Sequence, residues 1–214
     1  MVGGPGAGKG TQANRLADRL GLPHVSSGDL FRRHLRDDTP LGRRSRRYID
    51  RGALVPDELT ISMVEQRLAE PDAEAGAILD GFPRTRPQAE ALDALLARHG
   101  GQLAAAFYLD VDRDVLLRRL SGRWLCRASE DHVYHDLSHP PKDAGRCDFD
   151  GAELYQREDD SPATVRARLE KQLPPMFEVV DYYADRGVLH AVDGDQPVAE
   201  VTDALLRTVV SPAK

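Results

Sequence analysis

The sequence is poor in several features that would each indicate a class of protein. Its two cysteines in 214 residues do not make a disulfide framework, which argues against a small secreted scaffold. No apolar run reaches the ~18 residues of a membrane span, and no apolar leader precedes the first glycines, so we expect neither a membrane anchor nor a secretory signal. The net charge of −6 lacks the basic excess of a nucleic-acid-binding chain. We therefore expect a cytoplasmic protein, with one sizeable core or a core that carries small inserted domains.

Lysine is also scarce, with four lysines against twenty-five arginines. Arginine suits bidentate contact with phosphate, but a compositional bias would produce the same count, so the count alone assigns no function. One of the four lysines lies in the most glycine-rich stretch of the chain, Gly3-Gly4-Pro5-Gly6-Ala7-Gly8-Lys9-Gly10-Thr11. This stretch reads G-x-x-x-x-G-K-x-T, which is the pattern of a phosphate-binding loop.

The residue types of this loop suit the phosphates of a nucleotide. Glycines tolerate positive φ and carry no Cβ, so successive backbone N–H groups can turn inward. Lys9 can reach the β- and γ-phosphates and the Thr11 hydroxyl can ligate Mg²⁺, although Gly10 stands where the strict motif has Ser or Thr. Apolar residues recur at helical spacing over 13–20, which predicts a helix whose N-terminus points at the same phosphates. A chance glycine-rich turn is the disfavoured alternative.

The segment before the loop is unusually short. Only Met1 and Val2 precede Gly3, whereas the buried strand that leads into such a loop has ~5 residues. The sequence therefore predicts a truncated first strand. Losing ~4 buried aliphatic side chains, at ~1.5–3 kcal/mol each, would rival the stability of a whole domain. The two interpretations left open are a mis-set chain start, which we favour, and a destabilised nucleotide-binding protein of low activity.

Strand and helix patterns alternate along most of the remaining chain. Buried strands are predicted at 22–25, 77–80, 104–111 and 188–192, and helices between them, which indicates a parallel, doubly wound α/β sheet. Pro174 and Pro175 are expected to interrupt the long helix that begins near Ser161. Two segments differ from this pattern: 30–51 is strongly basic and helical, and 122–160 is polar, rich in turns and predicted to be a small β-rich insert. For most arginines of 30–51 we favour solvated positions over a mobile flap on an anionic ligand.

Several motifs then follow one another in a specific order. After the glycine loop come S-G-D-L-F-R at 27–32, D-G-F-P-R-T at 80–85, R-A-R at 166–168 and D-G-D-Q-P-V at 193–198. Together with Gly122-Arg123, Asp159-Asp160 and Gln88, this set resembles the long-lid, bacterial type of adenylate kinase in the nucleoside monophosphate kinase family. The resemblance covers essentially the whole chain after residue 2.

The resemblance implies a three-part architecture and a reaction. The expected core (1–25, 56–121 and 161–214) is a P-loop parallel sheet of five strands flanked by helices, the first strand being truncated. A helical NMP-binding flap is expected at 26–55 and a β-rich lid at 122–160. The implied reaction is ATP + AMP = 2 ADP with Mg²⁺ as cofactor, catalysed by a monomer, and closure of flap and lid would keep water from the transferred group.

Phosphoryl transfer requires positioned positive charge more than covalent chemistry. The resemblance implies that the catalytic residues are Lys9, Asp80, Arg84, Arg123, Arg157 and Arg168. Mg²⁺ would be held by Thr11 and, through water, by Asp80. No general base is evident, and the phosphate oxygen of AMP needs none because it is already ionised.

The two nucleotides have separate expected contacts. For ATP these are Gly6, Ala7, Gly8, Lys9, Gly10, Thr11, Arg119, Arg123, Val133, Tyr134 and Gln196. For AMP they are Ser27, Arg32, Ala53, Leu54, Val55, Gly81, Phe82, Pro83, Arg84, Gln88, Arg157 and Arg168. The Gln88 amide can both donate and accept, which suits adenine, although a plain exposed helix residue is the alternative. Many relatives have lysine where this chain has Gln196, a harmless change if the contact is through the backbone.

The expected lid departs from the family's zinc-binding pattern of two C-x-x-C pairs. The pairs here read Cys126-Arg-Ala-Ser129 and Cys147-Asp-Phe-Asp150, and serine is a poor zinc ligand. Cys126, Cys147 and Asp150 remain as a possible structural zinc set, to which His132 and His135 would contribute only by rearrangement. We favour a metal-free polar or thiol-paired cluster, while a disulfide is disfavoured in the cytosol.

A UMP/CMP kinase is the nearest enzymatic alternative because it shares the loop and the G-F-P-R turn. Those relatives mostly have a short lid, whereas the insert here is long.

Overall fold

The computed structural model describes residues 1–129 and 132–210, so the parts of the predicted lid and core at 130–131 and 211–214 lie outside the described residues. Its α/β architecture confirms the predicted fold class. The strands are β1 (Val2–Gly3), β2 (His24–Ser26), β3 (Ile78–Asp80), β4 (Ala106–Asp110), β5 (Arg123–Cys126), β6 (Val133–His135), β7 (Leu154–Tyr155) and β8 (Leu189–Asp193). The helices are α1 (Lys9–Leu20), α2 (Ser27–Arg36), α3 (Pro40–Ile49), α4 (Asp57–Leu68), α5 (Arg86–Arg98), α6 (Arg113–Ser121), α7 (Pro162–Asp185) and α8 (Val198–Val210).

The five expected parallel strands are present, in two hydrogen-bonded groups. One group has the order β1-β4-β8, and in it Val2 lies opposite Tyr108. The other pairs β2 with β3, so that Ser26 lies opposite Asp80. The two groups meet where the Met1 ammonium donates to the carbonyl of Leu79 over 2.8 Å. The carboxyl ends of the strands therefore share one edge, which is where open α/β sheets bind ligands.

The core forms where helices cover the apolar side chains of these strands. Phe107 and Leu109 of β4 are buried against α1, α6, α7 and α8. The covering residues are Leu16, Leu116, Leu120, Val165, Leu169, Val201 and Leu205. Each such side chain contributes ~1.5–3 kcal/mol on burial. The glycine loop between β1 and α1 is thus supported from beneath by a closely packed core.

Helix α7 corrects one sequence prediction. It runs without interruption through Pro174 and Pro175, although a proline inside a helix removes a hydrogen bond and costs ~3 kcal/mol. The helix buries residues on both sides of the proline pair, among them Leu169 and Val179. Burial of one continuous apolar face offsets the local cost, so the predicted interruption was wrong.

The segment after α6 forms the predicted β-rich insert. Its three short strands make an antiparallel sheet in the order β6-β5-β7. The insert has its own buried cluster of Cys126, Tyr134, Cys147 and Leu154. Tyr134 also stacks on His139, with ring centroids 5.5 Å apart.

Helices α2 and α3 form the predicted basic helical unit. The Ser26 and Thr39 hydroxyls cap their N-termini by accepting from the backbone N–H groups of Asp29 and Gly42. Phe31 is the main buried anchor of the unit and joins a cluster with residues of α4 and α5. Across residues 1–129 and 132–210, no helix is both long and apolar enough to cross a membrane.

Candidate active site

The glycine loop leads directly into the first turn of α1. Gly8 is the N-cap, in the left-handed conformation with φ 89°, which favours glycine. At Gly6, with φ 86°, an added Cβ would lie 2.9 Å from Cγ of Leu120, so a side chain has no room. Lys9 donates from Nζ to the carbonyls of Gly3 and Gly4, each over 2.9 Å. The loop thus places a lysine and a helix N-terminus at one point, a ready site for an anion.

Several charges act on Lys9 together. The pKa of Lys9 is lowered to about 8, chiefly by burial; the charge of Asp80 opposes this shift, and the positive charges of nearby arginines add to it. Those arginines are Arg84, Arg168 and Arg123. These arginines lie close enough to Lys9 to disfavour its ammonium charge. An anion that enters between the lysine and the arginines is therefore stabilised by all four cations.

Asp80 ends β3 beside the start of α1. A Cβ on Gly10 would lie 3.4 Å from its Oδ2, and Nε2 of His24 lies 3.5 Å from the same oxygen. Burial alone would raise the pKa of Asp80, but the contact with His24 and the charge of Lys9 outweigh it and lower the pKa to about 2. Asp80 is therefore ionised at neutral pH. Thr11 is exposed on the first turn of α1.

His24 was missed in the sequence analysis. His24 begins β2 and lies opposite Ile78, two residues before Asp80, so the rule that ligands bind at the carboxyl ends of strands does not point to it.

Arg84 follows the turn at Gly81, whose φ is 67°. Its Nε donates to the Gly81 carbonyl over 2.7 Å, and one terminal nitrogen donates to Oε1 of Gln172 over 3.2 Å. Burial lowers the pKa of Arg84, as does the charge of Arg168. In the same turn Phe82 is buried and its peptide bond to Pro83 is cis.

The other predicted arginines meet around two aspartates. Arg123 makes a bidentate pair with Asp160, with distances of 2.8 and 2.7 Å. Arg168 donates to Asp160 over 3.1 Å and lies 3.0 Å from Oδ2 of Asp159. Burial raises the pKa of Asp159, but four arginine charges outweigh it and lower that pKa. Those charges belong to Arg168, Arg157, Arg123 and Arg32.

The structure therefore brings together six predicted cations, Lys9, Arg32, Arg84, Arg123, Arg157 and Arg168. A cavity of about 50 Å³ separates the loop from Arg84 and Arg168 and is lined by all three. Gln172 lines it as well, and it had no role in the sequence analysis.

The predicted AMP contacts lie on the α2 side of this cluster. Ser27 donates to the Gly81 carbonyl over 2.6 Å, and Arg32 is paired with Asp29. The segment of Ala53, Leu54 and Val55 joins α3 to α4, and Val55 is buried.

Gln88 is not an exposed helix residue, so that alternative was wrong. It is 1% exposed. Its Oε1 accepts from the backbone N–H of Arg84 over 2.8 Å, and its Nε2 donates to Oδ1 of Asp57 over 2.7 Å. The sequence did not indicate a role for Asp57. Its contact with Nε2 determines which atoms of the Gln88 amide remain available to a ligand.

The predicted ATP contacts are only partly brought together. Arg119 donates to the Gly194 carbonyl and to Asp195, over 2.8 and 2.7 Å, and Gln196 donates to Asp193 over 2.8 Å. These residues belong to one hydrogen-bonded group between α6 and the turn after β8. Val133 and Tyr134 lie elsewhere, in the insert. Val133 is exposed, whereas Tyr134 is buried and its hydroxyl donates to Sγ of Cys147 over 3.5 Å.

The insert also gathers four possible metal ligands. One ligand atom from each of Cys126, His132, Cys147 and Asp150 lies within 4.8 Å of all the others. Nδ1 of His132 is 3.3 Å from Sγ of Cys147 and 3.1 Å from Oδ2 of Asp150, and both cysteines are free thiols. The expectation that His132 would need a rearrangement was wrong. Two thiols, an imidazole and a carboxylate fit the donor set of zinc.

Comparison with known proteins agrees with this geometry. The family model described as adenylate kinase matches residues 1–188. The chain is 52% identical over 202 residues to the adenylate kinase of Acidothermus cellulolyticus, covering 94% of this chain and 93% of the relative. It is 48% identical to that of Streptomyces coelicolor (98% and 96% covered) and 46% identical to that of Listeria innocua (94% and 93% covered). The chain therefore belongs to the adenylate kinase family and is an enzyme, a phosphotransferase.

Proposed function

We propose that this enzyme transfers the terminal phosphoryl group of ATP to AMP, in the reversible reaction ATP + AMP = 2 ADP. The observation that carries the proposal is the cavity lined by Lys9, Arg84 and Arg168. It lies between a phosphate-binding loop on one side and the predicted AMP contacts on the other. Two anionic substrates can approach each other only where cations cancel their repulsion, and this cavity is such a place.

Each cation has a proposed task in the transfer. Lys9 leaves the carbonyls of Gly3 and Gly4 and binds the β- and γ-phosphates. Arg84, between the two nucleotide sides, holds the AMP phosphate in line with the bond that breaks. Arg123 and Arg168 exchange part of their pairing with Asp160 for the transferred group. The AMP phosphate oxygen attacks in its ionised form, so no side chain has to remove a proton.

Magnesium accompanies ATP in this family, and the residues beside the loop fit it. Asp80 remains ionised because its pKa is about 2. We propose that Thr11 and, through water, Asp80 would hold the ion, which would neutralise charge on the phosphates. His24, 3.5 Å from the carboxylate of Asp80, then helps to hold that carboxylate in position.

We further propose that 26–55 is a flap that closes over AMP, that 122–160 is a lid that closes over ATP, and that the rest of the chain is the core. The support is that the insert has its own small apolar cluster and that two of the site cations, Arg123 and Arg157, lie near its two ends. Closure would exclude water, which would otherwise hydrolyse ATP. We expect a cytoplasmic monomer.

We also propose that the lid binds one structural Zn²⁺ through Cys126, His132, Cys147 and Asp150. The proximity of four suitable ligand atoms supports this, and it replaces the preference for a metal-free cluster, which rested on serine at position 129 being a poor zinc ligand. The ion would join β5 to the loop before β7, because its ligands come from both.

The main experiment compares acceptors. The purified chain is incubated with MgATP and with AMP, CMP or UMP at equal concentration, and ADP formation is measured. We expect AMP to be preferred by the ratio kcat/KM. Preference for CMP or UMP would overturn the proposed reaction and leave a pyrimidine nucleotide kinase.

A further inference from the structure

Gln172 on α7 has an unusual pair of partners. Its side chain is buried, at 8% exposure. Oε1 accepts from the guanidinium of Arg84 over 3.2 Å, while Nε2 donates to the backbone carbonyl of Gly52 over 2.8 Å. One partner is a proposed catalytic cation and the other is the backbone at the end of the proposed flap.

The chemistry of the partners allows this amide a single orientation. Arg84 offers only donors, and the Gly52 carbonyl only accepts. Rotating the amide by half a turn would place donor against donor and oxygen against oxygen. A buried amide cannot leave such groups unsatisfied without a penalty, so the contact with Gly52 also fixes the oxygen that faces Arg84.

Gly52 lies where the flap segment touches the core. Its φ is 65°, and a Cβ there would lie 2.9 Å from Cγ of Arg168 and 3.1 Å from the carbonyl oxygen of Thr164, both on α7. The chain can therefore approach α7 this closely only with glycine at this position. Any movement of the flap that lifts Gly52 from α7 lengthens the hydrogen bond from Gln172.

The neighbouring Lys171 provides a natural comparison. Its Nζ donates to the Arg51 carbonyl over 2.8 Å, so it holds the same stretch of backbone. Lys171 is exposed, and its one side-chain hydrogen bond among the described residues goes to that carbonyl rather than to Arg84. Lys171 thus contacts only the flap end, whereas Gln172 contacts both the flap end and Arg84. Comparing variants of the two residues separates these roles.

We propose that Gln172 is a positioning residue that couples the orientation of Arg84 to the seating of the flap end on α7. When Gly52 is seated, the amide presents its oxygen to Arg84 and the guanidinium is held by both Gln172 and Gly81. When Gly52 moves away, the amide loses its orientation and Arg84 keeps only its local contact with Gly81. The inference rests on the proposed AMP kinase reaction.

The test compares Gln172→Met, which keeps the size of the side chain and removes the amide, with Lys171→Met. We expect Gln172→Met to raise the KM for AMP and lower kcat, each about tenfold, because a hydrogen bond to a charged group is lost. The KM for ATP and all parameters of Lys171→Met are expected to stay within about twofold of the parent. The proposal is overturned if the KM for AMP and the kcat of Gln172→Met stay within about twofold of the parent, or if Lys171→Met loses as much as Gln172→Met.

Two further measurements separate this role from a merely structural one. Gln172→Glu keeps an acceptor for Arg84 but has no donor for Gly52, so it should also raise the KM for AMP; it provides the test if Gln172→Met does not fold. In an Arg84→Lys background, Gln172→Met should add less than about threefold, because residues that act as a unit are not additive. A full tenfold loss there would overturn the coupling. A parent chain that makes no ADP from ATP and AMP would instead remove the proposed function itself.

Discussion

Replacing Asp160 by asparagine removes the charge on which two site arginines depend. The Asp160 side chain is fully buried and accepts three hydrogen bonds, two from Arg123 at 2.8 and 2.7 Å and one from Arg168 at 3.1 Å. In Asp160→Asn the new amide nitrogen has to face a guanidinium donor. Arg123 then lies beside Lys9 without its carboxylate partner, and Arg168 keeps only its pair with Asp159.

The cost follows from the burial of the pair. Removing one partner of a buried ion pair costs about 3–5 kcal/mol. For a chain of this size each kcal/mol lowers the melting temperature by about 2–4 °C, so Asp160→Asn should melt about 6–20 °C below the parent. Asp159→Asn is the matched control: its side chain is 25% exposed and pairs with Arg168 at 3.0 Å. Its loss should be less than half as large.

The assay is calorimetric melting with and without saturating nucleotides. Phosphate groups supply the missing negative charge to Arg123 and Arg168, so the difference between Asp160→Asn and the parent should shrink when ATP and AMP are present. The reasoning is refuted if Asp160→Asn melts within about 2 °C of the parent, since that corresponds to no more than ~1 kcal/mol. It is also refuted if Asp159→Asn costs as much.

Three further outcomes are expected. Lys9→Met should lower kcat about 10³-fold, as removal of a charge that stabilises the transition state does, while calorimetry still detects AMP binding; a kcat within tenfold of the parent would contradict its role. Asp57→Ala should raise the KM for AMP several-fold, because Nε2 of the buried Gln88 amide loses its acceptor and the amide is held only through the backbone N–H of Arg84, and it should leave the KM for ATP unchanged; equal changes in both would indicate general destabilisation. Elemental analysis should find one zinc per chain in the parent and in Ser129→Ala but none in His132→Ala, and retention of zinc by His132→Ala would exclude the proposed ligand set.

Short-range chemistry made much of the fold predictable from the sequence. The glycine loop, its lysine and the helix behind it are contiguous, so their residue types alone indicate a phosphate site. Strand positions and the β-rich insert followed from apolar patterns and turn residues. Helix α7 was mispredicted because the local cost of Pro174 and Pro175 is visible in the sequence, whereas the burial that offsets it depends on the whole core.

The partners of the site residues could not be predicted in the same way. Asp57 lies 31 residues from Gln88, and Gly52 lies 120 residues from Gln172. Neither spacing follows any helix or strand period, and an aspartate or a glutamine has no distinctive local pattern. His132 is a further example. The turn before β6 brings its ring beside Cys147, and no sequence spacing indicates that contact.

The sequence by itself determined which chemistry is present: a loop for phosphates, an ordered set of arginines and an α/β sheet to carry them. These depend on residue type and on neighbours along the chain. Only the tertiary structure decided how that chemistry is held, with Asp160 between two arginines and Gln172 between Arg84 and the Gly52 carbonyl. The physical reason is that buried charges and amides must find partners within about 3 Å, and folding brings those partners from distant parts of the chain.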